Sequence, residues 1–530
     1  MDHGVDLDRV LELKHREDSR FASTHPRSLE LRERARRTMP LGVPLSWMSF
    51  LYDHSPLFVD AAEGAHFTDV DGHRYLDMSL GITVASTGHT AEPVVRAVAE
   101  RMTKGIQFHL PTEDAPIVSE ELAGRWGLPK WQYQLSSTQA NTDAIHLARL
   151  RTGRERIVVF EGKYQGHLAE LLAVWDEGRT VPEYLGVTDH DIARTTVVAW
   201  NDLDDVADAL ASGDVALLIA EPALTNSGIV FPTDGFHAGL RRLTREHGTL
   251  LAIDETQTLP MAFGGLVREW GLEADLVILG KSLGGGVPVA ALGMTEEISG
   301  LIDREYATYE VSGEEVDEPA IGGTLFGNAL SMAAARAALL EVWTEETHLR
   351  MQELARALAD GMESVIRSRG RNWDVHHLGN RAGYRFAPTP PRNNQGGWRV
   401  RLPARPAPPP RIHGEPWHLG FRLVGRAGHL RADGGGGRGG VPRRLRGVHR
   451  GTPRVGEAPA IKRCDPTLEP SPAPPDQERS GSYSVPSASA ASARDAELPA
   501  AGRPGTCRAR RVPAEARPRS DLLNRCVSSA

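Results

Sequence analysis

Between Ile157 and Val289 short apolar runs alternate with amphipathic stretches. The runs RIVVF, VALLIA, TLLAI and LVIL end at Phe160, Ala220, Ile253 and Leu279. Each is leucine-rich or β-branched and apolar throughout, as a strand covered on both faces must be. Between two of them, FHAGLRRLTREHG sets Phe236, Leu240 and Leu243 on one helical face and closes on Gly248, a fitting C-cap. DLDDVADALASG aligns Leu203, Val206, Ala207 and Leu210 in the same way, ahead of Gly213. The alternation predicts an α/β fold with a mostly parallel sheet wrapped by helices.

In such sheets ligands bind beyond the carboxyl ends of the strands. Here those ends are polar. RIVVF runs into Glu161, Lys163, Tyr164, Gln165 and His167; VALLIA into Glu221 and, a little later, Asn226. TLLAI is followed by Asp254 and Glu255, and LVIL by Gly280 and Lys281. One polar strand end is an ordinary solvated loop; four on one rim predict a site. Upstream, Ser136, Ser137 and Thr138 open a helix whose packed face is Ala140, Ala144, Leu147 and Ala148. Such an N-terminus suits simple capping, and it also suits an anion such as phosphate.

Composition changes the picture at one place. The 530 residues carry a formal charge of -8, but up to about residue 396 the chain reads as ordinary globular sequence. Beyond that point Lys462 is the only lysine, arginine and proline are frequent, and all three cysteines appear, at 464, 507 and 526. The cysteine-free body and the charged, non-signal-like N-terminus point to a cytoplasmic protein without disulfides. No apolar run is long enough to span a bilayer, so no membrane partner is expected. The basic tail lacks the interleaved aromatics or fold of a nucleic-acid binder.

The chemistry turns on Lys281. GKS is reminiscent of a phosphate-binding loop, but that pattern needs a glycine where Asp275 stands, and here the glycines follow the lysine. No G-x-G-x-x-G follows a first strand, which leaves a dinucleotide site unsupported. An amine at a crowded strand end can instead lose its charge and attack an aldehyde. Pyridoxal phosphate supplies such an aldehyde and asks for a carboxylate at its ring nitrogen, for which Asp254 is the matching residue on a neighbouring strand.

With these residues in view the sequence resembles the class III pyridoxal-phosphate-dependent aminotransferases of fold type I, in the glutamate-1-semialdehyde 2,1-aminomutase-like branch. GAHFTDVDGHRYLDMSLGI, LAIDETQT, AEPALTNSG, GKSLGGGVPVAALG and IGGTLFGNALSMAAA carry the likeness, over roughly residues 25 to 396. The resemblance implies a large cofactor-binding domain over 101–335, an N-terminal segment and dimer arm over 1–100, and a smaller α+β domain over 336–396. It implies pyridoxal 5'-phosphate as cofactor, a Schiff base at Lys281, and Asp254 on the ring nitrogen. It further implies Asn226 on the ring hydroxyl, Tyr164 on the ring face, and Ser137 and Thr138 at the phosphate. Thr324 would reach the phosphate of a partner subunit, which implies a homodimer with shared sites. Substrates would be a small-molecule amino donor and a carbonyl acceptor. Transamination, aminomutase-type isomerisation and an inactive cofactor-binding relative are the readings this leaves.

Some positions depart from the family's pattern. The usual Ser-Gly-Thr-Glu-Ala is SSTQA, and Gln165 stands for a histidine. Where the mutases carry an arginine for the substrate carboxylate, PLGVPLSWMSF offers Met48 beside Trp47, an apolar pair that cannot hold an anion. This favours the transaminase. Arg392 is a candidate replacement, with a solvated side chain the plainer expectation. After GYRFAPTPPRNN the residues 397–530 show neither helical nor strand periodicity, which predicts disorder. A frameshift near residue 394 would explain them: the codons of HGEPWHL, read one base on, allow Met-Ala-Asn-Arg-Gly-Ile-Leu. A small domain cut short in this way would leave Tyr384 and Phe386 on an exposed patch.

Overall fold

The computed structural model describes residues 7–50, 54–176, 178–226, 228–312 and 321–393. The expectations for the tail from 397 onward lie outside the described residues.

Seven strands form the central sheet: β1 (Lys130–Gln134), β2 (Arg156–Phe160), β3 (Thr195–Val198), β4 (Val215–Ala220), β5 (Leu250–Asp254), β6 (Leu276–Leu279) and β7 (Ala290–Met294). Their order is β1-β7-β6-β5-β4-β2-β3. All neighbouring pairs from β6 to β3 are parallel, whereas β7 runs antiparallel to both β6 and β1. The four strands found from their apolar runs, β2, β4, β5 and β6, are therefore consecutive neighbours, and their C-terminal ends share one rim. β1, β3 and β7 escaped the sequence reading. KWQYQ is mostly polar, and TTVV and AALGM are too short and too small-sided to stand out.

Both faces of the sheet are covered, which is why the strand runs are apolar throughout. Every residue of β4 is buried. Leu218 and Ala220 enter one hydrophobic core, Leu217 and Ile219 the other. The helix α1 (Ser137–Thr152) lines the second core with Ala140, Ala144, Leu147 and Ala148, each at 0 % exposure. α2 (Leu203–Leu210) starts at Asp202, whose side chain accepts from the backbone N–H groups of Asp204 and Asp205. α3 (Phe236–His247) buries Phe236, Leu240 and Leu243 and ends on a left-handed Gly248, as the pattern predicts.

Further along, α4 (Ala329–Ala337) is followed by α5 (Glu345–Ser368), and then by the antiparallel hairpin Asp374–Leu378 / Arg381–Arg385. Ala355 and Ala359 of α5 pack on Ala382 and Val375 of the hairpin. Leu378 packs instead on Ala223, Ile229 and Met261, at the rim of the central sheet. Tyr384 and Phe386 are not left bare as expected. Both are half-buried, with Tyr384 stacked on Trp373 and Phe386 edge-on to it at 4.6 Å. The N-terminal motif forms a three-stranded sheet over Val59–Glu63, His66–Asp69 and Arg74–Leu76. No helix among the described residues is long and apolar enough to cross a membrane.

The aromatic knot under the sheet gives a direct check of this core. Phe236 is 1 % exposed and lies edge-on to Trp200 at 4.7 Å and to Phe160 at 5.7 Å. Phe236→Ala should cost about 3–5 kcal/mol in urea unfolding. Leu185→Ala, at a position 84 % exposed, should stay within about 0.5 kcal/mol of the parent.

Candidate active site

The rim formed by β2, β4, β5 and β6 collects most of the residues the sequence singles out. Asp254 is the last residue of β5 and is 3 % exposed. One of its oxygens, Oδ2, accepts from Asn141 Nδ2 at 2.9 Å, and the other, Oδ1, accepts from the Thr256 N–H at 2.9 Å. Burial pushes its carboxyl above the usual carboxylate range, while those hydrogen bonds and nearby Lys281 pull the other way. A desolvated carboxylate braced in this way will hold a cation placed against it.

Lys281 follows β6, the next strand, and opens a short 3₁₀ turn with φ 46°, a left-handed conformation unusual for a lysine. The glycine before it is a matter of space. A Cβ at Gly280 would lie 2.0 Å from Ser137 Oγ. Ser137 Oγ in turn accepts from Thr256 Oγ1 at 2.8 Å, so the serine that stands for the family's glycine is turned onto the ends of β5 and β6. Gln139, standing for glutamate, closes a capping box: its side-chain oxygen accepts from the N–H groups of Leu135 and Ser136. The N-terminus of α1 is thus fixed beside Asp254 and Lys281.

Thr138 ties in the loop after β2. Its Oγ1 accepts from the His167 N–H at 3.1 Å, and a Cβ at Gly166 would come within 2.4 Å of that oxygen. Asn141 Nδ2 also donates to the Gln165 carbonyl at 3.1 Å, which links the same loop to Asp254. The Tyr164 N–H donates to Glu221 Oε1, and its ring meets Trp47 edge-on at 5.6 Å. Met48, next to that tryptophan, is exposed. Asn226 is buried, with its Oδ1 accepting from Gln257 Nε2 at 2.7 Å. Its Nδ2 is sealed from solvent without a hydrogen-bond partner. A sealed donor of this kind marks a position where a ligand acceptor fits.

One strand-end residue turns away from the site. Glu255 follows Asp254 but does not face the site. Its carboxylate accepts from the N–H groups of Leu266 and Val267 and from Thr258 Oγ1, so it braces the scaffold. Thr324, expected at the phosphate of a partner subunit, is exposed, and its carbonyl accepts from Gln107 Nε2. Arg392 is exposed, as the plainer expectation had it. Lys163, the other lysine near a strand end, is committed: its Nζ donates to the carbonyls of Leu171 and Ala173.

Sequence reasoning missed the braces. Asn141 lies on the apolar face of α1 between Ala140 and Ala144, and a polar residue inside that stripe was the available signal. Glu221 was noticed only as a strand-end polar group. Fully buried, it is pushed up to about 7 by desolvation and by Asp254, against the pull of Thr225, Tyr164 and Lys281.

Two measurements follow. Gly280→Ala should destabilise the chain by roughly 1–3 kcal/mol through the collision with Ser137. Gly280→Ala combined with Ser137→Gly should recover most of that loss; no recovery would place the strain elsewhere. The raised Glu221 acid means that the folded chain binds this proton more tightly than the unfolded one. Its stability contribution is therefore present at acid pH and lost as pH rises from the ordinary carboxyl range through about 7. The melting temperature of the cofactor-free chain should fall less between pH ~5 and pH ~8 in Glu221→Gln than in the parent.

The aminotransferase class-III family model matches residues 48–395. Over 368 residues the chain is 35 % identical to glutamate-1-semialdehyde 2,1-aminomutase of Gemmatimonas aurantiaca, a span of 68 % of this chain and 82 % of that protein. Among solved structures, a glutamate-1-semialdehyde-aminomutase from Pseudomonas aeruginosa PAO1 matches with a TM-score of 0.70 and 41 % identity, over 74 % of this chain and 87 % of that one. A β-phenylalanine aminotransferase from Variovorax paradoxus matches with a TM-score of 0.65 and 27 % identity, over 74 % and 86 %.

Proposed function

The chain belongs to the aminotransferase class-III family, and from that premise we propose that Lys281 and Asp254 are the working pair of a pyridoxal-phosphate-dependent transaminase. The observation that carries this is the buried Asp254 carboxylate, braced by Asn141 and Thr256, with Lys281 at the end of the adjoining strand. When bound, pyridoxal 5'-phosphate supplies an aldehyde that bonds amines and a ring that takes up the electron pair left when a proton departs. The residues present fit it. Asp254 would keep a proton on the ring nitrogen, and the sealed Nδ2 of Asn226 would donate to the ring hydroxyl. Tyr164 would cover the ring face, and Ser137, Thr138 and the N–H groups at the start of α1 would hold the phosphate.

Lys281 has two tasks. With the cofactor bound, its Nζ would be the amine that holds the aldehyde. Once free and neutral, the same Nζ would take up and give back the proton of the substrate's amine-bearing carbon. The amino group passes in this way from a small-molecule donor to a carbonyl acceptor. The large cofactor domain spans 101–335 in this reading, with the smaller domain over 336–396 and the N-terminal arm over 1–100. The exposed segment carrying Thr324 suits a second copy of the chain, whose phosphate it would reach, and the cysteine-free body suits the cytoplasm.

The aminomutase relatives favour a second reading, in which one substrate is both donor and acceptor. Against it stand Met48 and Trp47, where those enzymes need a cation. Conversion of glutamate semialdehyde to aminolevulinate with no external donor would decide for the mutase.

The experiment for the transaminase is borohydride reduction of the cofactor-loaded chain followed by peptide mapping. The cofactor should be fixed on the peptide containing Lys281. Lys281→Ala should still bind cofactor but slow proton transfer by roughly 10²–10⁴-fold. Cofactor fixed on Lys163 would overturn the assignment.

A further inference from the structure

Arg381 begins the second strand of the hairpin Arg381–Arg385. It is 6 % exposed, and its Nη1 is sealed from solvent with no hydrogen-bond partner. A buried guanidinium with an unused donor is costly unless something anionic meets it.

The strand's alternation says where it points. Arg381 and Arg385 lie on one face of the hairpin, two steps of the pleat apart. Arg385 reaches across to the Ile229 carbonyl and lies against Gly228, in the loop after β4. Ala382, on the opposite face, packs on Ala355 and Ala359 of α5. Arg381 therefore faces the rim of the central sheet, where it feels the charge of Glu221. Glu221 does not close an ion pair with it. Its Oε1 accepts from the Tyr164 N–H and its Oε2 from Thr225 Oγ1.

The order of groups along the rim separates this cation from the phosphate cradle. Ser137 lies against Gly280, at the end of β6. Asp254 ends β5, and Glu221 follows β4, on the far side of β5 from β6. Of these groups it is Glu221 whose charge reaches Arg381. The α1 N-terminus offers a place for one anion, and the Arg381 guanidinium a place for a second. Trp47 and Met48, on the N-terminal side of the site, carry no charge, and the hairpin after α5 brings a cation from far downstream in the chain.

We propose that Arg381 is the anchor for the substrate's carboxylate, so that the amino donor and its product are an amino acid and an oxo acid rather than a simple amine and aldehyde. This rests on the aminotransferase reading. The guanidinium offers a planar pair of N–H donors, which matches a carboxylate in two parallel hydrogen bonds. Glu221, close by and able to keep its proton near neutral pH, does not repel the incoming anion as an ionised acid would.

The test uses the cofactor-loaded full chain and a carboxylate that cannot react. Glutarate, titrated by the change in cofactor absorbance and by thermal shift, should bind saturably to the parent. Arg381→Met should weaken it at least about tenfold, and Arg381→Lys should fall between the two. Glutaramide, uncharged and of the same shape, should bind parent and Arg381→Met alike. Removing an unpaired buried cation should leave Arg381→Met at least as stable as the parent, and if that variant does not fold, Arg381→Lys gives the comparison. Equal glutarate affinity in parent and variant, or no saturable binding by the parent, overturns the proposal. Borohydride fixation at Lys281 in the same samples separates the two levels. Fixation with indifferent glutarate binding defeats the carboxylate anchor alone; absence of fixation defeats the aminotransferase reading beneath it.

Discussion

A carboxylate kept out of water is the constraint around which this site is built. Asp254 ends a strand buried on both faces, so its charge has no solvent to fall back on. Asn141 from α1 and the Thr256 N–H compensate it in part. Those two bonds also fix the position of α1 against β5, and through Ser137 and Gly280 the position of the lysine on β6. The same asparagine holds the loop that carries Tyr164. The start of α1, the lysine turn and the loop carrying Tyr164 are thus positioned by one network.

Placing charge in so dry a site has consequences for its neighbours. Glu221, beside Asp254, is driven toward its neutral form, and Arg381 is left with a donor that no group among the described residues takes up. These are features a fold does not need for its own stability. They make sense if the remaining charges arrive with the ligands: a protonated ring against Asp254, a phosphate at the start of α1, and a carboxylate at Arg381. Specificity would then come from segments outside the central sheet. The N-terminal segment contributes an apolar pair, Trp47 and Met48, and the hairpin after α5 contributes the cation.

Much of this was legible in the sequence because β2, β4, β5 and β6 are apolar throughout and each ends abruptly in polar residues. Parallel strands put such ends on one side, so Asp254, Lys281 and the Ser137–Thr138 turn could be joined without knowing the strand order. The family resemblance added roles for Asn226 and Tyr164, until then only polar strand-end residues, and added Thr324, which no periodicity marks. Asn141 was hidden because its partner is 113 residues away in the chain. Arg381 was hidden because an arginine in a short β-hairpin looks solvated until the hairpin is seen to fold against the rim. Tyr384 and Phe386 were read as a bare surface for a related reason: Trp373, which packs on both, lies outside the strand pattern that drew attention to them.

The central claim is that Asp254 holds the cofactor's ring nitrogen in its protonated, electron-withdrawing form. The most direct measurement is the nitrogen-15 chemical shift of ring-labelled pyridoxal phosphate bound to the parent chain and to Asp254→Asn. The account predicts a protonated ring nitrogen in the parent through neutral pH and an unprotonated one in the variant. An unprotonated ring in the parent, or a shift that Asp254→Asn leaves unchanged, would contradict it.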